Sequence, residues 1–286
     1  MKGSPLTFRA RPISGLVTVI VPFYNREHFL AETIRSLLNQ THSATQIILV
    51  DDGSTDRSFS LAQSFRDPRI LLIRLRKRRG KPHALNEVLR FAQGEWVAFF
   101  DSDDLMIPRS LEVRIDFLKR NPRALAVMGR VGRTIGESGK SLPQSHPIHA
   151  SFRNGLRATR QLARCLGSLV PELFVYGQCP LSPLSVTLFR RKTVQQLGRL
   201  NARCAPYEDR DYLMRLAFRQ PVPFLDVPVM WYRAHGGNLS FRIKRGRLWH
   251  PKSAFLGKRL KSRYMELTTG SPNRCANPLF PSSSQR

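Results

Sequence analysis

Trp96–Asp104 reads WVAFFDSDD: five apolar residues run straight into three carboxylates. An unbroken apolar run of this length suits a strand covered on both faces. Side chains alternate along an extended chain, so Asp101 and Asp103 point to the same side. Paired carboxylate oxygens of this kind suit a hard divalent cation, and Mg²⁺ typically takes only one or two from a protein. The tripeptide Asp101-Ser102-Asp103 alone is a weak signal. Its setting decides the reading.

Working outward, three more apolar runs of strand length precede it: Val17–Val21, Ile47–Val50 and Ile70–Ile73. Helical patterns lie between them. Leu30, Ile34, Leu37 and Leu38 share one face, as do Leu85, Val88, Leu89 and Ala92. The order βαβαβαβ predicts right-handed crossovers and a doubly wound, mostly parallel α/β sheet. Ligands of such sheets bind beyond the carboxyl ends of the strands. The first strand ends in Pro22-Phe23-Tyr24-Asn25, the second in Asp51-Asp52-Gly53-Ser54, the fourth in Asp101-Ser102-Asp103-Asp104. Three polar clusters at equivalent ends predict one cleft, although Asp52-Gly53-Ser54-Thr55 also reads as a turn or helix cap. Asp104 reads as a cap before Pro108, and Arg74–Arg79 as a solvated loop that could also meet phosphate.

The chain beyond residue 110 is less regular. Leu111–Arg120 reads as a helix, Ala124–Val131 as a strand and residues 132–152 as a long loop, marked by Gly132, Gly136, Gly139, Pro143 and Pro147. Leu184–Phe189 reads as a strand. Asp209–Arg219 reads as a helix that Pro221 and Pro223 bring to an end. Asp209 precedes Leu213 by four residues and Leu216 by seven, which puts it on their core-facing stripe, with Glu208 and Asp211 on other faces. The predicted organisation is one domain over 15–240, with halves 15–110 and 111–240, the second a smaller mixed region. A basic, aromatic-containing extension follows over 241–267, then a disordered Ser/Pro-rich tail over 268–286.

The 286 residues are 41% hydrophobic, enough for a substantial core and unlike a disordered chain. Their net charge of +27 is uneven: residues 1–110 carry about +5, residues 111–240 about +12 and residues 241–286 about +10. Such a surface attracts polyanions: nucleic acid, anionic lipid, an acidic glycan or a diphosphate. An arginine-rich solvated face accounts for it equally well. No nucleic-acid module or aromatic stacking strip is visible, so no specific nucleic acid is expected. A nucleotidyltransferase or dinucleotide oxidoreductase would place a glycine-rich loop after the first strand, where this chain has Phe23-Tyr24-Asn25-Arg26. Cys165, Cys179, Cys204 and Cys275 show no metal or disulfide spacing, which predicts a reducing compartment. No signal peptide or spanning helix is apparent. The expectation is a cytoplasmic protein, soluble or peripheral on the inner face of the plasma membrane.

Val17–Ser54 (VTVIVPFYNREHFLAETIRSLLNQTHSATQIILVDDGS) and Gly80–Leu105 (GKPHALNEVLRFAQGEWVAFFDSDDL) resemble the opening of a family 2 glycosyltransferase of the A-type fold. The resemblance continues through Leu184–Arg191, Tyr207–Asp211 and Trp231–His235, and so covers about residues 17–240. It implies inverting, metal-dependent sugar transfer from a nucleotide-diphosphate-sugar, in cell-envelope or exported polysaccharide or glycolipid synthesis. It implies a donor that is a UDP-sugar by default, a saccharide or lipid-linked acceptor, and Mn²⁺ or Mg²⁺ as cofactor. Carried over residue by residue, Pro22, Tyr24 and Asn25 line the nucleotide site, Asp52 bonds the base edge and Lys81 lies near the phosphates. Asp101 contacts the ribose or assists the metal, and Asp103 is the main metal ligand. Asp209 is the catalytic base. Arg233 and His235 approach the diphosphate, His235 as a further metal ligand. Two departures stand out. Gly198-Arg199-Leu200 replaces a frequent Gly-Gly-Phe, and the Gln-x-x-Arg-Trp motif and membrane spans of processive members are not visible. A single-addition enzyme is therefore expected, with the basic second half against an anionic membrane or acceptor. The readings set against it are a polyanion- or nucleic-acid-binding protein on an inactive transferase scaffold, and a nucleotidyltransferase.

Overall fold

The computed structural model describes residues 8–143 and 184–238, with the backbone alone at 168–169, 242–244 and 247–249. Four parallel strands form its first half: β1 (Ile13–Phe23), β2 (Thr45–Asp51), β3 (Ile70–Arg74) and β4 (Gly94–Phe99). Their order is β3-β2-β1-β4, all in parallel register. The winding reverses at β1, so the crevice between the carboxyl ends of β1 and β4 is the switch point where ligands bind in such sheets. Val19, Ile20, Val21, Ile47, Ile48, Leu49, Val50, Val97, Ala98 and Phe99 are all buried, as continuous apolar runs require.

The intervening helices are α1 (Leu30–Leu38), α2 (Ser58–Ser64) and α3 (Lys81–Val88). Leu30, Ile34 and Leu37 form the buried face of α1, and Leu85 and Val88 that of α3. Each such side chain, fully buried, contributes about 1.5–3 kcal/mol relative to exposure.

The second half wraps the sheet into a mixed one. After β5 (Leu105–Met106), α4 (Ser110–Arg120), β6 (Ala126–Ile135) and β7 (Ser168–Leu169) come β8 (Thr187–Arg190), α5 (Arg191–Leu197), α6 (Glu208–Ala217) and β9 (Val222–Arg233). The sheet continues β4-β8-β6-β9-β5, with β7 on β9. β8 runs antiparallel to both β4 and β6, β6 and β9 are parallel, and β5 is antiparallel to β9. This is the expected doubly wound α/β sheet with a mixed second region.

Three local expectations shift. The strand read as ending at Val131 runs on to Ile135. Gly132, taken as a loop marker, is a close-approach residue: a Cβ there would lie 3.0 Å from the Pro228 side chain of β9. The strand expected from Leu184 starts at Thr187, because residues 184–186 turn and Thr187 N–H donates to Leu184 O. Asp104 caps no helix; α4 begins at Ser110 without a side-chain cap. Within the expected basic extension, β10 (Arg242–Lys244) and β11 (Arg247–Trp249) pair antiparallel. The rest of it, the tail from 268, most of the loop beyond 143, and Cys165, Cys179 and Cys275 lie outside the described residues. Cys204 is buried, and Asn201 Nδ2 donates to its Sγ (3.2 Å).

Candidate active site

One cleft at the switch point is lined by Pro22, Tyr24, Arg26, Asp52, Lys81, Asp101, Asp103, Asp104, Glu208 and Asp209, among others. The three strand-end clusters therefore converge, and the start of α6 closes on them.

The β4 loop is held from behind by α1. Thr33 Oγ1 donates to Asp104 O (2.9 Å) and Ser102 O (3.1 Å), and Met106 N–H donates to Ser36 Oγ. Asp101 is engaged on both oxygens, by the Lys81 ammonium on Oδ1 and by Ser185 Oγ on Oδ2 (3.0 Å). Burial opposes the Lys81 charge, but Asp101, Glu208 and Asp209 outweigh it and raise its pKa. Lys81 is thus a fixed cation amid three carboxylates.

Asp103 Oδ2 faces His235 Nε2 at 3.0 Å and Arg26 Nε at 3.3 Å. Burial opposes its ionisation, but the His235 hydrogen bond and the charges of Arg26 and Lys81 hold its pKa below the usual value. Asp104 Oδ1 accepts from Arg233 N–H (2.8 Å), while Oδ2 is buried without a partner among the described residues. Burial, then the charges of Asp103 and Asp101, push its carboxyl well above the ordinary range.

That surplus of negative potential suits a divalent cation. Among the described residues, no three His, Cys, Asp or Glu side chains converge tightly enough to hold one unaided. Asp103 with His235 supplies the one or two protein donors that Mg²⁺ usually takes. The tautomer matters here. Gly237 N–H donates to His235 Nδ1 (3.1 Å), so Nε2 carries the proton toward Asp103. Coordination through Nε2 would need the other neutral tautomer, with the proton on Nδ1 and the Gly237 hydrogen bond given up.

At the β2 end of the cleft, Asp52 accepts from Arg79 N–H (2.9 Å) and Gly80 N–H (2.7 Å), pinning the loop before α3 against β2. Gly53 (φ +79°) permits this approach, since a Cβ there would lie 2.9 Å from Arg78 N. Arg78 stacks over the Tyr24 ring at 4.0 Å. Asn25 does not line the cleft. In a left-handed conformation (φ +50°), its side chain accepts from Thr55 N–H (2.9 Å) and ties the β1 loop to the β2 loop.

Two sequence expectations fail geometrically. Arg233 does not face the cleft. Its guanidinium is fully buried and donates to Asp103 O (2.9 Å), Glu137 O (3.1 Å) and Glu32 Oε2 (2.7 Å). It clamps the aspartate loop to α1 and the turn after β6. Nor is Asp209 alone on the inward face of α6. Because the helix starts at Glu208, that residue turns inward too, 4% exposed, and Asp211 is fully buried beside Arg215. Glu208 lines the cleft with one carboxylate oxygen unpartnered among the described residues, and burial chiefly raises its pKa to about 7. Asp209 is likewise raised, first by burial, against the pull of Lys81. The sequence reading missed Glu208 and Arg26. The only signal was their adjacency to Asp209 and Asn25.

The sequence matches the family described as Glycosyl transferase family 2 over residues 18–176. The UDP-Glc:alpha-D-GlcNAc-diphosphoundecaprenol beta-1,3-glucosyltransferase WfgD of Escherichia coli is 37% identical over 106 residues, 37% of this chain and 42% of that protein. The chain thus spans under half the length of this relative. The crystal structure of S. aureus TarS 1-349 in complex with UDP-GlcNAc superposes with a TM-score of 0.58 at 20% identity, covering 78% of this chain and 59% of that one. The mannosyltransferase PcManGT from Pyrobaculum calidifontis, in complex with GDP-Man and Mn²⁺, gives 0.55 at 22% identity, covering 82% and 59%. These likenesses bear out the A-type fold, and the family match covers more than half the sequence: the chain belongs to glycosyl transferase family 2.

Proposed function

We propose that this chain transfers a sugar from a nucleotide-diphosphate-sugar to an acceptor hydroxyl, with inversion and with a divalent metal. One observation carries the reading: Asp52, Lys81, Asp101, Asp103, Glu208 and Asp209, from four separate segments, line a single cleft at the switch point. A polyanion-binding scaffold has no need of five acids there.

The roles follow from position. Tyr24 offers a ring face for the base, and Asp52, its oxygens already fixing the 79–80 loop, retains lone pairs for the base edge. Lys81 holds its charge toward the phosphates. Asp101 orients Lys81 and meets the ribose. Asp103, with His235 in its Nδ1–H tautomer, would hold Mn²⁺ or Mg²⁺. When bound, the metal neutralises charge that grows on the departing diphosphate. Asp209 takes the proton of the acceptor hydroxyl as that oxygen attacks the anomeric carbon from the side opposite the leaving group. Partial burial lifts its basicity toward neutrality, as a general base needs.

UDP-sugar is the donor of first choice, supported by the donor named for the E. coli relative and by the UDP-GlcNAc complex of a fold neighbour. The relative's diphosphoundecaprenol acceptor supports a lipid-linked acceptor and an envelope pathway. No helix among the described residues is long and apolar enough to cross a membrane. The basic chain would reach such an acceptor at an anionic, inner-face membrane surface. If the protein ignored anionic vesicles at physiological salt, that contact would be discarded.

The deciding experiment is a donor panel: nucleoside diphosphate release from UDP- and GDP-sugars with Mn²⁺, Mg²⁺ and chelator, in wild type and Asp103→Ala. Metal-dependent release with one donor, lost in the variant, is the expected result. No release with any donor, or none affected by Asp103→Ala, refutes the reading.

A further inference from the structure

Arg26 is the one cation of the cleft for which the family resemblance assigns no role. Its backbone is anchored independently of its side chain: its N–H donates to Ser58 Oγ (2.6 Å), and its carbonyl accepts from Phe29 and Leu30 N–H. The guanidinium leans into the cleft. Nη1 donates to Asn25 O (3.1 Å) and Tyr24 O (3.4 Å), which tethers it over the mouth. Its Nε sits 3.3 Å from Asp103 Oδ2.

This pair differs from the ion pair Arg215–Asp211 within α6. In Arg215–Asp211, Nε donates a direct hydrogen bond to Oδ2 at 3.0 Å. Arg26 Nε is buried, yet makes no aligned hydrogen bond with Asp103 or any other described group. The oxygen it faces is already taken by His235 Nε2 at 3.0 Å. A buried N–H without an aligned acceptor is unfavourable. The contact is therefore charge neutralisation without a lock. The same oxygen is a donor atom that the proposed metal needs, and two cations cannot share it closely.

We infer that Arg26 is an exchangeable counter-ion: it neutralises Asp103 in the donor-free cleft, and yields that carboxylate to the metal as its guanidinium turns to the diphosphate of the donor. The inference rests on the metal-dependent reading above and adds a positioning residue to it. The tether to Asn25 O and Tyr24 O allows the turn, because it holds the guanidinium at the cleft mouth whichever partner it faces. Planar guanidinium donors match phosphate oxygens well. The exchange keeps the cleft from holding an unpaired aspartate before the donor arrives, and makes free metal bind weakly until then.

The test uses two probes on the full chain, Mn²⁺ followed by electron paramagnetic resonance and UDP followed by calorimetry in saturating Mn²⁺. Arg26→Gln is expected to bind Mn²⁺ alone on the order of tenfold more tightly than wild type, and UDP several-fold more weakly. Arg26→Lys is expected to fall between them. These opposite signs separate exchange from misfolding, which weakens both. Equal or weaker Mn²⁺ binding by Arg26→Gln, with wild type binding measurable, overturns this inference alone. Failure of both proteins to bind Mn²⁺, with or without UDP, overturns the metal reading and this inference together.

Discussion

The parallel half and the mixed half of the sheet hold their site residues in opposite ways. In the parallel half, Tyr24, Asp52, Asp101 and Asp103 follow directly from the ends of β1, β2 and β4, and each is fixed by neighbours near the same crevice. In the mixed half, Glu208, Asp209, Arg233 and His235 come from the start of α6 and the end of β9, brought in by strands that pair antiparallel or skip across the sheet. The first half, on the proposed reading, is a donor platform built by topology. The second is a set of arms whose inward and outward faces depend on packing. The largest expected effect tests that division. Asp209→Asn should lower kcat about 10²–10⁴-fold, the range for loss of a general base, and leave UDP affinity unchanged. Single-turnover transfer and a UDP titration measure the two. Loss of UDP binding would show that the acid belongs to the donor platform instead.

Arg233 sharpens the comparison from the other side. If the mixed half serves the platform by clamping it, Arg233→Met should cost about 1–3 kcal/mol of stability, because it strips buried donors from Asp103 O and Glu137 O and the ion pair from half-exposed Glu32. Urea unfolding reads this directly. A variant of wild-type stability with a raised donor KM would restore the expectation that Arg233 reaches the diphosphate.

The two halves also differ in what their sequence discloses. Continuous runs such as Val17–Val21 and Ile47–Val50 can only be strands covered on both faces, and the polar residues after them can only be at strand ends. The convergence of these strand ends on one cleft was therefore legible in the sequence. Arg233 was not. Its acceptors Asp103 O and Glu137 O lie 130 and 96 residues away, and nothing in Tyr232-Arg233-Ala234 encodes which way the guanidinium turns. Gly132 misled for a related reason, since a glycine needed for close strand approach looks like a glycine that ends a strand. On α6, the stripe through Leu213 and Leu216 gave the buried face, but not that the helix would start early enough to turn Glu208 inward as well.

Within the platform, Gly53 measures how tightly the nucleotide end is built. Gly53→Ala places a Cβ 2.9 Å from Arg78 N at a backbone φ of +79°. Non-glycine residues in that region cost about 1–3 kcal/mol. The expected result is a lower melting temperature, and a weaker grip on UDP because Arg78 and the 79–80 amides shift. An unchanged melt and UDP affinity would mean that this loop is not a fixed part of the platform.

Glu208 gives the smallest expected effect and the finest test of the mixed half. In the unfolded chain its proton leaves near 4.5, whereas in the fold burial holds it to about pH 7, against the pull of Lys81 and with the push of Asp209 and Asp101. The folded state then binds more protons across that window, so this group's ionisation lowers stability as pH rises from about 4.5 to about 7. Glutamine keeps the shape and removes the ionisation. Relative to wild type, Glu208→Gln should therefore gain roughly 1–2 kcal/mol between pH 5 and pH 7. Parallel melts at the two pH values check it. A difference that does not change with pH would mean that Glu208 is already ionised in the fold, balanced by Lys81, and that the cleft carries one more negative charge at neutral pH than its burial implies.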